Sequence, residues 1–183
     1  MADPEDARLF HHYRAGIHSW VREEELWWLW RMAQQRPADG YVLEIGAAMG
    51  GSTVVMAGAS KQVQGMPVIS VDTHRDLLDS AGTHLGDTLP KFWDAIQDKC
   101  VQNYVLTCAG GIDQFRRILR EEIPIRLLFI DGDHSYAHVA QELKLWYPKV
   151  KTDGVFSGHD ADFPDVARAV NEFGIPTLLL MEN

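Results

Sequence analysis

From Tyr41 onward, short apolar segments alternate with segments of helical length, and this alternation limits the fold more than any other feature of the chain. The apolar segments are six predicted strands: YVLEIG, PVISVD, YVLTCA, IRLLFID, GVFSGHD and TLLLME. Strands that are continuously apolar and separated by helices indicate a parallel sheet covered on both faces. Because crossovers between parallel strands are right-handed, we predict an α/β fold with a Rossmann-like, doubly wound, mostly parallel sheet.

Five segments between these strands are predicted helices: GSTVVMAGASK, KFWDAIQDKC, IDQFRRILREE, AHVAQELKLWYPKV and PDVARAVNEF. Residues 73–90 are the exception, since a long irregular stretch between a strand and a helix is typical of a functional lid. Before the sheet, residues 5–38 are predicted to be helical, with Ser19 as a cap and with Pro37 and Gly40 ending the helix. We therefore expect one domain, in which an N-terminal helical segment, 1–40, packs on a Rossmann-like core, 41–183.

Charge and length exclude several classes of partner. The 183 residues carry a formal net charge of −9, and such a surface repels nucleic-acid phosphates and anionic membranes. No apolar run approaches the roughly 20 residues that span a bilayer. The charged N-terminus is unlike a signal peptide, and two cysteines cannot form a disulfide framework. We expect a cytoplasmic protein that binds a small molecule.

The predicted N-terminal helix is rich in tryptophan. Trp20, Trp27, Trp28 and Trp30 lie within one short segment. Aromatic residues at this density pack in a core or across an interface. Because one flank of the sheet offers limited area to cover them, a homodimer contact is expected here.

A glycine-rich turn follows the first predicted strand. It contains Gly46, Ala47 and Gly50, with Glu44 in the strand before it and Ser52 at the start of the next helix. Glycines permit a tight turn and let a ligand approach the backbone closely. The N–H groups at a helix N-terminus favour a carboxylate or a phosphate. The turn is therefore a candidate site for the charged end of a cofactor.

Asp72 ends the second predicted strand, where a carboxylate can accept hydrogen bonds from both hydroxyls of a ribose. Together, the glycine-rich turn and Asp72 indicate a nucleoside-containing cofactor. The dinucleotide pattern G-x-G-x-x-G is matched only imperfectly, by Gly46, Ala48 and Gly51. A nicotinamide cofactor therefore stays open as the alternative.

The string VLEIGAAMGGSTVVMA resembles the first motif of class I S-adenosylmethionine-dependent methyltransferases, and VISVD resembles their second. This resemblance implies S-adenosylmethionine as the cofactor. The residues that it assigns to cofactor binding are Glu44, Gly46, Ala47, Gly50, Ser52, Asp72 and Asp131.

Acids and histidines follow the next two predicted strands. Asp131 and His134 come after the fourth strand, and His159 and Asp160 come after the fifth. Neighbouring parallel strands lie about 4.8 Å apart, so these side chains can converge on one cation. Carboxylate oxygens favour a hard divalent ion such as Mg²⁺ or Mn²⁺. His134 could also act as a general base.

The string IDGDHSY, followed by LWYPKV and then HD, resembles a narrower group, the O-methyltransferases related to macrocin O-methyltransferase and the proteins called cephalosporin hydroxylases. The resemblance places the first metal-binding acid at Asp131 and the last at Asp160. Position 159 is usually acidic in that group, whereas His159 favours Mn²⁺, Fe²⁺ or Zn²⁺ over Mg²⁺. We expect a metal set of Asp131, His159 and Asp160, and catalytic roles for Asp131, His134 and His159. Class I sheets usually close with a seventh, antiparallel strand, and we expect that strand to be missing here.

The sequence therefore predicts an S-adenosylmethionine-dependent O-methyltransferase that acts on a hydroxyl of a small molecule, a sugar or a natural product, with a divalent cation. Two alternatives come from other classes: an NAD-dependent oxidoreductase on the same fold, and a non-catalytic relative that binds a small ligand.

Overall fold

The computed structural model describes residues 3–35, 39–75, 77–78, 84–110 and 123–174. Helices and strands alternate along most of this part of the chain. In chain order they are α1 Pro4–Arg14, α2 Glu23–Ala33, β1 Tyr41–Ile45, α3 Gly51–Gln62, β2 Val68–Asp72, β3 Leu77–Leu78, β4 His84–Gly86, α4 Leu89–Asp98, β5 Val105–Ala109, β6 Ile125–Ile130, α5 Tyr136–Trp146, β7 Val150–Gly158 and α6 Pro164–Phe173.

Five strands form one parallel sheet in the order β5-β2-β1-β6-β7. Leu43 of β1 lies opposite Ile69 of β2 on one side and Leu128 of β6 on the other. The chain winds outward from β1 through β2 to β5, and then returns to place β6 and β7 on the other side. The predicted doubly wound fold is confirmed, and its switch point lies between β1 and β6, where open α/β sheets bind ligands.

Alternate side chains of each strand enter two separate cores. Val42 and Phe129 point into the first, which the helices α1 to α4 cover. Leu43 and Leu128 point into the second, which α5 and α6 cover. Because both faces of the sheet are buried, the strands are apolar at consecutive positions, as the sequence showed.

The prediction that residues 5–38 are helical is wrong at residues 15–22, which separate α1 from α2. Gly16 adopts a φ of +77°, which no α-helix contains. The second helix then begins beside Arg22, whose backbone N–H donates to the carboxylate of Glu25 at 2.9 Å. This cap replaces the predicted one at Ser19, and α2 ends at Ala33, well before Gly40.

The tryptophans divide between the core and the surface. Trp30 is fully buried, with its ring centroid 5.7 Å from that of Tyr13, and its Nε1 donates to Asp6 at 2.7 Å. Trp20 is 41% exposed. Part of the aromatic surface on which the homodimer prediction rests is therefore covered within one chain, and the homodimer stays a prediction.

The expectation of an irregular lid over residues 73–90 is partly wrong, because β3 and β4 form an antiparallel pair and α4 begins at Leu89. The predicted helix at 112–122 and the sixth predicted strand at 177–182 lie outside the described residues. The absence of a final antiparallel strand from the sheet therefore stays a prediction. Within the described ranges, no helix is long and apolar enough to cross a membrane.

Candidate active site

The glycine-rich turn lies between β1 and α3, against the end of β6. Gly46 has a φ of +90°, and a Cβ on it would lie 1.9 Å from the backbone oxygen of Asp131. Gly50, the residue before α3, has a φ of +86°, and a Cβ there would meet the Phe92 ring at 3.1 Å. Only glycine fits both positions, so the turn is held tightly against the neighbouring strand.

Glu44 is fully buried beneath this turn. Its carboxylate accepts hydrogen bonds from the hydroxyls of Ser52 and Thr53, both at 2.5 Å. Burial raises the pKa of Glu44 to about 7, although the two hydroxyl donors act in the opposite direction. Glu44 and Ser52 thus bind each other behind the turn. The residues of the first turn of α3, Gly51 to Thr53, are themselves buried, so the contact of their N–H groups with an anionic ligand stays a prediction.

Asp72 closes the other side of the turn. Its Oδ2 accepts from the backbone N–H groups of Ala47 at 2.8 Å and Ala48 at 2.7 Å, and its Oδ1 accepts from that of His74 at 2.6 Å. A carboxylate has about four acceptor sites, so one remains for a ligand hydroxyl. The predicted contact of Asp72 with a ribose stays a prediction.

His74, which lies in the stretch predicted to be a lid, is buried, with 1% of its surface exposed. Its Nδ1 lies 3.1 Å from the hydroxyl oxygen of Thr88, and its ring packs on Phe92. Its Nε2 has no hydrogen-bond partner in the described part of the chain. The sequence offered no signal for this burial, because it depends on how the stretch after β2 folds back onto α4.

Four acidic and histidine side chains meet where β6 and β7 end. Asp131, His134 and Asp160 each offer one ligand atom, and these atoms lie within 4.8 Å of one another. His134 Nε2 is 2.8 Å from Asp160 Oδ2. His159 Nδ1 is 3.1 Å from Asp160 Oδ1 and 3.5 Å from Asp131 Oδ1. We call these four residues the acid–histidine cluster.

Opposite charges govern this cluster. Burial raises the pKa of Asp131 to about 7, and the neighbouring His159 counteracts the shift. The hydrogen bond with Asp160 raises the pKa of His159 to about 9, against the effect of burial and with help from Asp131. His159 is therefore an imidazolium at neutral pH, beside the Asp160 carboxylate, whose pKa the same hydrogen bond lowers. Its proton must leave before Nδ1 can bind a metal, so binding would release a proton.

The donor set fits a divalent transition-metal ion. Carboxylate oxygens of Asp131 and Asp160 and an imidazole nitrogen of His134 lie within 4.8 Å of one another, and Nδ1 of His159 lies against both carboxylates. Imidazole nitrogen suits Mn²⁺, Fe²⁺ and Zn²⁺, whereas Mg²⁺ prefers oxygen. Of the predicted metal set, Asp131 and Asp160 can share one ion with His134, while His159 lies within 3.5 Å of both acids, so its role as a ligand stays a prediction.

A pocket of about 1240 Å³ opens beside the cluster. Trp20, Arg22 and Glu25 line it from the N-terminal segment, and Phe156 lines it from β7. The sequence analysis missed Glu25, whose Oε2 lies 3.4 Å from Nε2 of His159. The Arg-x-x-Glu spacing could have suggested a helix cap, but nothing in the sequence placed that cap beside β7.

A family model described as a methyltransferase domain matches residues 43–161, which is most of the sheet and both strand ends of the site. Among solved structures, the chain is similar to CalS11, described as a TDP-rhamnose 3'-O-methyltransferase of calicheamicin biosynthesis. The identity is 16% and the TM-score 0.65, over 98% of this chain and 92% of that one.

Two further structures with a ligand are also similar. An O-methyltransferase from Bacillus cereus, bound to S-adenosylhomocysteine, is 14% identical with a TM-score of 0.63, over 94% of this chain and 79% of that one. TomG from Streptomyces achromogenes, an O-methyltransferase of tomaymycin synthesis bound to S-adenosylmethionine, is 15% identical with a TM-score of 0.61, over 94% and 77%. At these identities the likeness shows the fold, while the family match covers well over half of the chain. The chain therefore belongs to the class I methyltransferase family that its sequence resembles, and it is a methyltransferase.

Proposed function

We propose that this protein transfers a methyl group from S-adenosylmethionine to a hydroxyl oxygen of a small molecule, with a divalent cation bound in the acid–histidine cluster. The observation that carries the proposal is the contact between two sites. The glycine turn after β1 touches the backbone of Asp131, and Asp131 belongs to the cluster that can hold a cation. A methyl donor on the turn and an acceptor at the cluster would therefore be neighbours.

On the donor side, the turn and Asp72 would hold the cofactor. The first N–H groups of α3 face an anion with the positive end of the helix dipole, which suits the carboxylate of the methionine part. The remaining acceptor site of Asp72 suits a ribose hydroxyl. The bound structures of the Bacillus cereus enzyme and TomG support this choice of cofactor.

On the acceptor side, Asp131, His159 and Asp160 would hold the cation. A bound divalent ion supplies a Lewis acid that lowers the pKa of an acceptor hydroxyl. His134 contacts Asp160 alone in the cluster and its side chain is 43% exposed, so it is open to the pocket. We assign to His134 the acceptor proton, with Asp160 orienting its ring.

The transfer forms a carbon–oxygen bond between acceptor and methyl group and breaks the carbon–sulfur bond of the sulfonium. The hydroxyl proton moves from the acceptor oxygen to His134, so the products are the methyl ether, S-adenosylhomocysteine and protonated His134. Because the acceptor oxygen must meet the methyl carbon in line with the sulfur, positioning of donor and acceptor supplies much of the rate. At about 1240 Å³ the pocket exceeds the roughly 300–1,000 Å³ of most small-molecule sites, so it has room for a small-molecule acceptor. The sugar acceptor in the description of CalS11 supports a sugar or a sugar-bearing natural product here.

Calorimetric titration tests the proposal. S-adenosylhomocysteine and Mn²⁺ should each bind the protein, and NAD should not. Transfer of a labelled methyl group to a panel of hydroxylated sugars and phenols should stop with a chelator and resume with added Mn²⁺. Binding of NAD alone would contradict the cofactor, unchanged transfer with a chelator would contradict the cation, and cofactor binding without any transfer would favour the non-catalytic alternative.

A further inference from the structure

Glu25 is the one residue of the N-terminal helices whose carboxylate contacts the acid–histidine cluster among the described ion pairs. Its Oε2 lies 3.4 Å from Nε2 of His159, and both groups are about one-fifth exposed. The same oxygen accepts from the backbone N–H of Arg22, and its Oε1 lies 3.0 Å from the Arg22 guanidinium. The start of α2 therefore fixes a carboxylate against the cluster from the side opposite to Asp131 and Asp160.

We propose that Glu25 is a positioning residue that orients His159 as a metal ligand, an inference that rests on the proposed cation. An imidazole has two nitrogens, and only the one without hydrogen can bind a metal. A carboxylate 3.4 Å from Nε2 favours the hydrogen on that nitrogen, which would leave Nδ1 as the ligand nitrogen. Nδ1 is the atom that faces both Asp131 and Asp160.

The physical basis is general for histidine ligands. A carboxylate on the outer nitrogen fixes the ring tautomer and orientation, and raises the basicity of the inner nitrogen. Arg22 holds the Glu25 carboxylate in place, because its backbone N–H donates to Oε2 and its guanidinium donates to Oε1. The cap of α2 thus has a second role, because it connects the N-terminal segment to the cluster.

The chain offers a matched control. Glu23 lies in the same first turn of α2 and faces a histidine too, with Oε1 3.7 Å from Nδ1 of His11, but this pair is exposed and remote from the cluster. Glu23→Gln should therefore leave Mn²⁺ binding unchanged. Glu25→Gln keeps an oxygen for the Arg22 N–H, so α2 can still begin at Glu23, and Glu25→Ala removes the carboxylate altogether.

The experiment is a calorimetric Mn²⁺ titration without cofactor or acceptor, with thermal unfolding of each variant. Glu25→Ala should weaken Mn²⁺ binding about 10- to 100-fold, and Glu25→Gln by a smaller factor. In a His159→Asp background, which has no Nε2 to orient, Glu25→Gln should change affinity less than threefold. If Glu25→Gln lost the same Mn²⁺ affinity in the wild-type and His159→Asp backgrounds, or lost none in either, the inference would be overturned. Absence of Mn²⁺ binding by the wild-type protein would instead overturn the proposed cation, and the inference with it.

Discussion

A methyl group on Gly46 would lie 1.9 Å from the backbone oxygen of Asp131. The glycine turn and the first acid of the cluster are thus in van der Waals contact through their main chains. The Asp131 N–H also donates to the Ile45 carbonyl at 2.8 Å, so the two strand ends are joined immediately below the site. Because no side chain separates the glycine turn from the acid–histidine cluster, a shift of the turn should displace the cluster.

We expect Gly46→Ala to destabilise the protein severely. The new Cβ overlaps backbone atoms, which cannot rotate away, and the φ of +90° strains any other residue. The loss in free energy of unfolding should exceed about 4 kcal/mol. Single substitutions cause losses of this size only when they disrupt core packing or force the backbone to move. Urea unfolding measures it.

Gly174→Ala is the control for Gly46→Ala. Gly174 has a similar φ of +77°, but a Cβ there meets no atom of the described residues within 4 Å. The conformational cost alone should be about 1–2 kcal/mol. If Gly46→Ala and Gly174→Ala lost the same free energy of unfolding, the overlap with the Asp131 backbone would contribute nothing to the effect.

Asp72→Ala should weaken binding of S-adenosylhomocysteine about 10- to 100-fold. Three backbone N–H groups lose a charged acceptor, and each such bond contributes about 1.5–3 kcal/mol. The turn would then lose the shape that the cofactor needs. Calorimetry measures the affinity, and Asp94→Ala, an exposed carboxylate on α4, should leave it unchanged. Retention of full affinity by Asp72→Ala would rule out both the ribose contact and the role in the turn.

His159→Asp should shift the metal preference from Mn²⁺ toward Mg²⁺. The substitution replaces a nitrogen donor by a hard oxygen, in a place that already holds Asp131 and Asp160. It should also remove the share of the proton release on Mn²⁺ binding that comes from the His159 imidazolium. Titration in buffers of different ionisation enthalpy measures both effects, and binding of S-adenosylhomocysteine serves as the control for folding. An unchanged ratio of the Mg²⁺ and Mn²⁺ affinities would show that His159 is not a ligand.

Glu142 should make stability depend on pH. The residue is 7% exposed on α5, and its Oε2 has no hydrogen-bond partner in the described ranges. Burial, with a smaller effect of Asp133, raises the pKa of Glu142 from its ordinary 4.5 to about 7. The folded protein thus keeps a proton that the unfolded chain releases. This stabilisation is complete below pH 4.5 and is lost as the pH rises to 7.

Glu142→Gln should remove this loss of stability at high pH, because an amide side chain does not ionise. At pH 8 the variant should be more stable than the wild type by on the order of 3 kcal/mol, since each pKa unit corresponds to about 1.4 kcal/mol. At pH 4.5 the two proteins should differ little. Urea unfolding at the two pH values measures the difference, and Glu23→Gln, at an exposed position, should show no such dependence. A constant difference between variant and wild type at both pH values would contradict the assignment.

The sequence by itself determined the sheet and the edge at which the chemistry lies. Apolar runs such as that of β6 fit only a strand buried on both faces, and parallel strands end at one common edge. The positions of Asp131 and Asp160 after their strands therefore followed from local pattern alone. The same holds for the glycine turn, because Gly46 precedes a helix directly after a strand.

Tertiary structure decided the contacts between elements that are distant in the chain. The break between α1 and α2 depends on the cap at Arg22, and the pairing of Glu25 with His159 joins residues that no local pattern connects. The burial of His74 depends on how the stretch after β2 folds back onto α4. Hydrophobic periodicity reports which face of an element is covered, but not which element covers it. Contacts of side chains across elements are fixed only when the whole core packs.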